Sequence, residues 1–120
     1  MPDITKALKS FGYAFKGVTA LFRFENNAKI HLILGVGAIA LGFLLDLTTV
    51  EWTVLTIQIA AVMAAEAFNT ALEKLCDVVS PEHHPLIGSI KDMAAGAVLI
   101  MAISSVVTGL LLFVPKILEL

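Results

Sequence analysis

Charge is scarce in this chain: 15% of its 120 residues are Asp, Glu, Lys or Arg, against about a quarter in soluble domains. Hydrophobic residues make up 58%, which excludes an ordinary soluble domain. Acids and bases nearly balance, 10 to 8, for a formal charge of −2, and no nucleic-acid partner is expected. Cysteine occurs once, at Cys76, which rules out an internal disulfide and leaves the redox compartment open. Internal repeats and low-complexity tracts are missing. No signal peptide is expected, because the first apolar residues are spaced and no small-residue cleavage site follows.

Familiar catalytic and metal signatures are missing too. Gly12 and Gly17 have the spacing of a phosphate loop, but Val18 stands where the lysine must be and no strand precedes them. His83 and His84 with Cys76 do not form a structural zinc site, since adjacent histidines do not share a helix face and no second thiol exists. Neither a Ser-His-Asp nor a Cys-His arrangement has a local signature.

What is present is apolar and helical. Three stretches fit membrane spans: Ala28 to Leu45, Trp52 to Leu72 and Met93 to Val114. The third holds no ionisable residue over a length of about 33 Å at helical rise. Residues 3–24 read as an amphipathic surface helix, with Ile4, Leu8, Phe11, Phe15, Val18 and Phe22 on one face and Lys9, Lys16 and Arg23 on the other. Asp3 is its expected cap. Lys6 and Tyr13 form a separate strip, open to either a ligand or lipid headgroups. The fold class is an all-α integral membrane protein, one domain over residues 1–120. So short a chain encloses little core, and lateral association with its own copies is expected.

Basic residues set the orientation. Lys6, Lys9, Lys16, Arg23 and Lys29 precede the first span, and Lys74 and Lys91 bracket the second turn. The turn from Asp46 to Glu51 has acids and no base. The amino terminus and the Lys74–Lys91 segment are therefore expected in the cytoplasm, with the carboxyl terminus outside. Val78 to Ile90, holding Pro81, Glu82, His83, His84 and Pro85, is predicted as a loop relieved by Gly88. Beyond it, Ala94-Ala95-Gly96-Ala97 is a run that lets helices, or a nucleotide, approach closely.

The informative exception to apolarity is a stripe. Glu66, Asn69, Glu73 and Asp77 recur at helical spacing and share one side of the second span. A carboxylate deep in lipid costs about 2.5–3.5 kcal/mol even on the gentlest scale, so several need a functional reason. Glu25 before the first span and Glu73 near the end of the second are expected at one membrane depth. There they are able to share a divalent cation through hard oxygen ligands. Lys91 enters the third span at that level and suits phosphate. Glu66 lies about 10 Å deeper and suits proton abstraction from a lipid hydroxyl. Those are the parts of phosphoryl transfer. A proton or cation path through an oligomer, and simple interhelical hydrogen bonding in a helper subunit, stay open at this point. The first predicts acids reachable from both sides and leaves Lys91-Asp92 and the proline-bounded loop unexplained. His31, at the head of the first span, reads as an interfacial histidine and not a ligand.

At these residues the chain resembles the prokaryotic diacylglycerol kinase family, which includes undecaprenol kinases. The likeness rests on Glu66-Ala-Phe-Asn69-Thr70-Ala71-Leu-Glu73-Lys-Leu-Cys-Asp77 and on Lys91-Asp92-Met-Ala-Ala95-Gly96-Ala97-Val98-Leu99. Glu25-Asn-Asn27-Ala-Lys-Ile30-His31 and Gly12-Tyr13-Ala-Phe-Lys16-Gly17 match as well, so nearly the whole chain is covered. The resemblance implies ATP- and magnesium-dependent phosphorylation of a membrane lipid alcohol, at the cytoplasmic face of a bacterial inner membrane, by a homotrimer whose sites are shared between chains. It implies Glu66 as catalytic base, Glu25 and Glu73 as metal-binding carboxylates, and Asn69 with Asp77 in support. Nucleotide contacts would be Glu25, Glu73, Lys91, Asp92, Glu82, His84 and Tyr13, with Lys6 where the family often has arginine. Glu66 and Ala95 would meet the lipid. The motifs look more like the undecaprenol branch than the diacylglycerol branch, although Asn26-Asn27-Ala28-Lys29 departs from that branch's usual aromatic-basic pair.

Overall fold

The computed structural model describes residues 1–120 and consists of four helices: α1 (Ile4–Phe24), α2 (Asn26–Leu44), α3 (Thr49–Val79) and α4 (Pro85–Leu118). The last three are long and apolar enough to cross a membrane, with mean hydropathies of 1.6, 1.4 and 2.6 over their most apolar windows. At ~1.5 Å per residue, the 19 residues of α2 just match a hydrocarbon layer of ~30 Å. The 31 residues of α3 and the 34 of α4 overrun it, so their ends project beyond the layer.

Each helix boundary has a local cause. The Asp3 side chain accepts a hydrogen bond from the Lys6 amide at 3.0 Å, the expected cap of α1. Glu25 alone separates α1 from α2, in extended conformation (φ −98°, ψ 120°). Its amide donates to the Leu21 carbonyl and its own carbonyl accepts from the Lys29 amide, so one residue ends one helix and starts the next. Between α2 and α3, Asp46 takes the left-handed conformation at φ 51°. Thr48 and Glu51 then form a reciprocal capping box, at 3.2 and 2.9 Å, that starts α3. The turn folds Trp52 back onto α2. A Cβ on Gly42 would lie 2.7 Å from the Trp52 ring, so only glycine permits that approach.

α3 and α4 form the principal packed pair, α2 lies against α3, and α1 touches α2 and α3. A small apolar cluster of Leu47, Leu55 and Phe113, with Leu41, Trp52 and Ile59 around it, closes one end of the bundle. There Lys116 near the end of α4 pairs with Glu51 at the start of α3, at 3.0 Å. Only 12 of 120 residues are buried, and large apolar side chains such as Phe68, Leu99, Ile103 and Leu111 point outward. One copy of the chain thus leaves most of its apolar surface to be covered by lipid or by other chains.

Two sequence expectations need correction. The loop predicted over Val78–Ile90 shrinks to Ser80–His84, because α3 runs on to Val79 and α4 already starts at Pro85. Proline at the first helical position is preorganised for a helix start, and the His84 ring accepts the Leu86 amide at 3.1 Å as its cap. Gly88 therefore sits within a helix and relieves no loop. Gly96 has open space where its Cβ would be, so within one chain no helix crowds that position.

Candidate functional site

The stripe on α3 is embedded at its inner members and exposed at its end. Glu66 is 2% exposed and Asn69 8%, while Glu73 is half-buried and Asp77 stands in the open. Asn69 donates its amide to Glu73 Oε1 at 3.2 Å. Asn69 Oδ1 and Glu66 Oε1 are buried without any hydrogen-bond partner. Buried polar atoms are nearly always paired, so two orphans one helical turn apart on α3 call for a reason other than stability.

Glu25 joins them from another element. Its side chain caps neither α1 nor α2, which leaves the carboxylate uncommitted at the corner between them. Since α2 and α3 run back to back across a short turn, the start of α2 and the later part of α3 meet at one end of the bundle. His31, Glu73 and Glu25 come near Glu66 there. Three oxygen sources, Glu25, Glu73 and the unpaired Oδ1 of Asn69, suit a hard cation such as magnesium. No group of three His, Cys, Asp or Glu side chains converges tightly enough to form a cage by itself. Magnesium bound with a nucleotide needs only one or two carboxylates, because phosphates and water complete its shell.

At the outer edge, the Lys91 ammonium of α4 hydrogen-bonds to the Asp77 carboxylate, tying the two helix ends together. Asp92 and Ala95 follow on the exposed surface of α4. In the Ser80–His84 turn, Glu82 is exposed and its carbonyl accepts from the Ser80 hydroxyl at 2.9 Å. His84 spends Nδ1 on the helix cap. Lys6 and Tyr13 are exposed on α1, and neither side chain hydrogen-bonds to any other residue in the chain. The fold thus gathers Glu25, Glu66, Asn69 and Glu73, joins Lys91 to Asp77, and leaves Lys6, Tyr13, Glu82, Asp92 and Ala95 without a partner from the same chain.

Sequence reasoning missed two features. His31 is not at a free interface: its Nε2 lies 3.3 Å from Glu66 Oε1, within charge-pairing distance but without the alignment a hydrogen bond requires. The only signal available was its helical spacing of three from Ala28, and that does not say which helix the shared face meets. Gln58, hidden in the apolar run of α3, donates Nε2 to Ser105 Oγ at 3.0 Å and to the Met101 carbonyl at 3.4 Å. Its Oε1 accepts from Ser104 and Thr108, each at 3.2 Å. Beside both features runs an apolar cavity of about 260 Å³, lined by His31, Gly35, Ala38 and Val62 near the carboxylates and by Phe113 at the far end.

Comparison with known proteins adds a second line. The family model described as prokaryotic diacylglycerol kinase matches residues 12–113. An undecaprenol kinase of Bacillus subtilis is 36% identical over 95% of this chain and 93% of its own length. A diacylglycerol kinase of Synechocystis is 41% identical over 94% of this chain, which spans 65% of that protein. The diacylglycerol kinase of Escherichia coli K12 is 32% identical over 90% of this chain and 88% of its own length.

Proposed function

The chain belongs to the prokaryotic diacylglycerol kinase family and is a lipid kinase, and on that premise we propose that it transfers the γ-phosphate of ATP to the hydroxyl of a membrane lipid alcohol, undecaprenol in preference to diacylglycerol. The observation that carries this reading is Glu66: a nearly inaccessible carboxylate with an unpaired oxygen, set beside an apolar cavity and below two further carboxylates. A base placed there meets a hydroxyl arriving from the lipid side, whereas the nucleotide arrives from the projecting helix ends.

Glu66 takes the proton from the lipid hydroxyl as the oxygen attacks the γ-phosphorus and the bond to the β-phosphate oxygen breaks, releasing ADP; positioned bases of this kind contribute roughly 10²–10⁴-fold. Glu25, Glu73 and the Asn69 amide oxygen would hold magnesium, which when bound supplies charge neutralisation on the nucleotide phosphates. Lys91 offsets charge on the transferring group after exchanging its Asp77 partner. That exchange is easy, because an ion pair in the open contributes little to stability. Lys6, Tyr13, Glu82, His84 and Asp92 are assigned to the nucleotide, and Ala95 to the lipid. None of them has an intramolecular partner to give up apart from the Nδ1 cap of His84.

α1 lies along the bilayer surface in this reading, its exposed Ile4, Leu8, Phe11 and Phe15 in lipid. Its end and the Ser80–His84 turn face the cytoplasm of a bacterial cell, with the carboxyl terminus outside. Three copies assemble around the apolar faces that one chain leaves open. The undecaprenol preference is supported by the Bacillus subtilis relative, which is nearly coextensive with this chain. Purified protein in mixed micelles with labelled ATP tests the whole reading, with undecaprenol and diacylglycerol offered side by side. Phosphate transfer to neither lipid overturns the kinase reading, and a faster rate on diacylglycerol overturns the preference.

A further inference from the structure

From Ala28 to Ala38 the face that α2 presents to α3 is built from small residues with one exception. Ala28 is fully buried, Gly35 is buried where a Cβ would lie 3.5 and 3.8 Å from Ile59 and Met63 of α3, and Ala38 is half-buried. Between Ala28 and Gly35, on the same face, stands His31, 19% exposed. An imidazole on so tightly packed a face is held by its neighbours, and here its Nε2 is turned to within 3.3 Å of Glu66 Oε1. No side chain hydrogen-bonds to Glu66, and His31 also lines the apolar cavity.

We infer that His31 is a positioning residue for Glu66: its imidazole engages one carboxylate oxygen and so turns the other toward the hydroxyl of a lipid seated in the cavity. The inference rests on the proposed role of Glu66 as base. His31 needs no contact with nucleotide or metal for this. The groups that face Glu66 are His31 from α2, Glu25 from the corner before it, and Glu73 from α3 itself. Two of these are acidic, so of the three only His31 is able to donate a hydrogen bond to the carboxylate. The 3.3 Å separation closes to a true hydrogen bond with a small rotation of either side chain, and catalytic hydrogen bonds commonly tighten only once substrate is bound.

The test compares His31→Leu, His31→Gln, Glu66→Gln and the double variant His31→Leu/Glu66→Gln, each assayed with ATP and undecaprenol in mixed micelles. His31→Leu is expected to lower kcat by about 10–100-fold, the effect of a misplaced catalytic group, while KM for ATP stays within about twofold. His31→Gln, which keeps an N–H donor of similar reach, restores most of the loss. It also guards against a folding artefact, because the space left by the ring is largely refilled. The double variant is expected to be no slower than Glu66→Gln alone, since a residue that acts through Glu66 has nothing left to position. Wild-type kcat in His31→Leu beside an inactive Glu66→Gln overturns the inference and leaves the kinase reading intact. A raised KM for ATP with unchanged kcat, or a double variant slowed by the product of both single effects, overturns it as well. Wild-type turnover in Glu66→Gln removes the base and this inference together.

Discussion

Two polar groups on the same helix, Gln58 and Glu66, lie eight residues apart and about 12 Å along α3, and their surroundings differ in kind. Gln58 spends both ends of its amide on α4, donating to Ser105 and the Met101 carbonyl and accepting from Ser104 and Thr108. Glu66, together with Asn69 one turn on, keeps an oxygen buried and unpaired. A satisfied polar cluster between membrane helices contributes about 0.6 kcal/mol per hydrogen bond and fixes register. An unsatisfied buried atom instead costs about 1–3 kcal/mol, so it persists only where something else requires it. The first region fastens α3 to α4. The second holds groups ready for a ligand and for a proton.

Substitution at the unsatisfied end should show the largest effect. Glu66→Gln is expected to lower turnover by roughly 10²–10⁴-fold with little change in KM for ATP, measured as phosphate transfer in micelles. If turnover held, Glu66 would join Gln58 as a structural group and the contrast would vanish. Glu73→Gln should raise the magnesium and ATP concentrations needed for half-maximal rate by roughly tenfold or more, read from titrations at saturating lipid. A lower kcat at unchanged requirements would move Glu73 away from the metal.

At the satisfied end the readout changes from rate to stability. Gln58→Leu removes four hydrogen bonds between α3 and α4 and should destabilise the bundle by about 1–3 kcal/mol. Thermal unfolding in detergent measures this, and KM for ATP should not move. An unchanged unfolding midpoint would mean that the cluster fastens nothing. Lys116→Ala, which opens the pair with Glu51 at the far end of the same helices, should give the smallest change, close to the error of the same unfolding measurement. A large drop there would show that the ion pair, and not the Gln58 cluster, holds α3 to α4.

The stripe on α3 was visible in sequence because Glu66, Asn69, Glu73 and Asp77 repeat at helical spacing within one apolar segment, so local periodicity carries the whole signal. The cap at Asp3 is equally local. The predicted loop over Val78–Ile90 was too long because two prolines read as punctuation on both sides, whereas Pro85 begins a helix. His31 was underrated for another reason. Its partner lies 35 residues away on a different helix, and nothing in the Glu25–His31 turn specifies which way that face points. Gln58 gave no signal of its own, because its partners Ser104, Ser105 and Thr108 lie more than 40 residues away on α4.

The amino-acid order by itself settled the membrane class, the helical makeup and the acidic stripe, because hydropathy and a 3.6-residue period act over a few turns of one segment. Packing of α2 and α4 on α3 decided which polar atoms found partners and which were left bare. That choice depends on side chains brought together from distant parts of the chain, where a shift of an ångström makes or breaks a hydrogen bond.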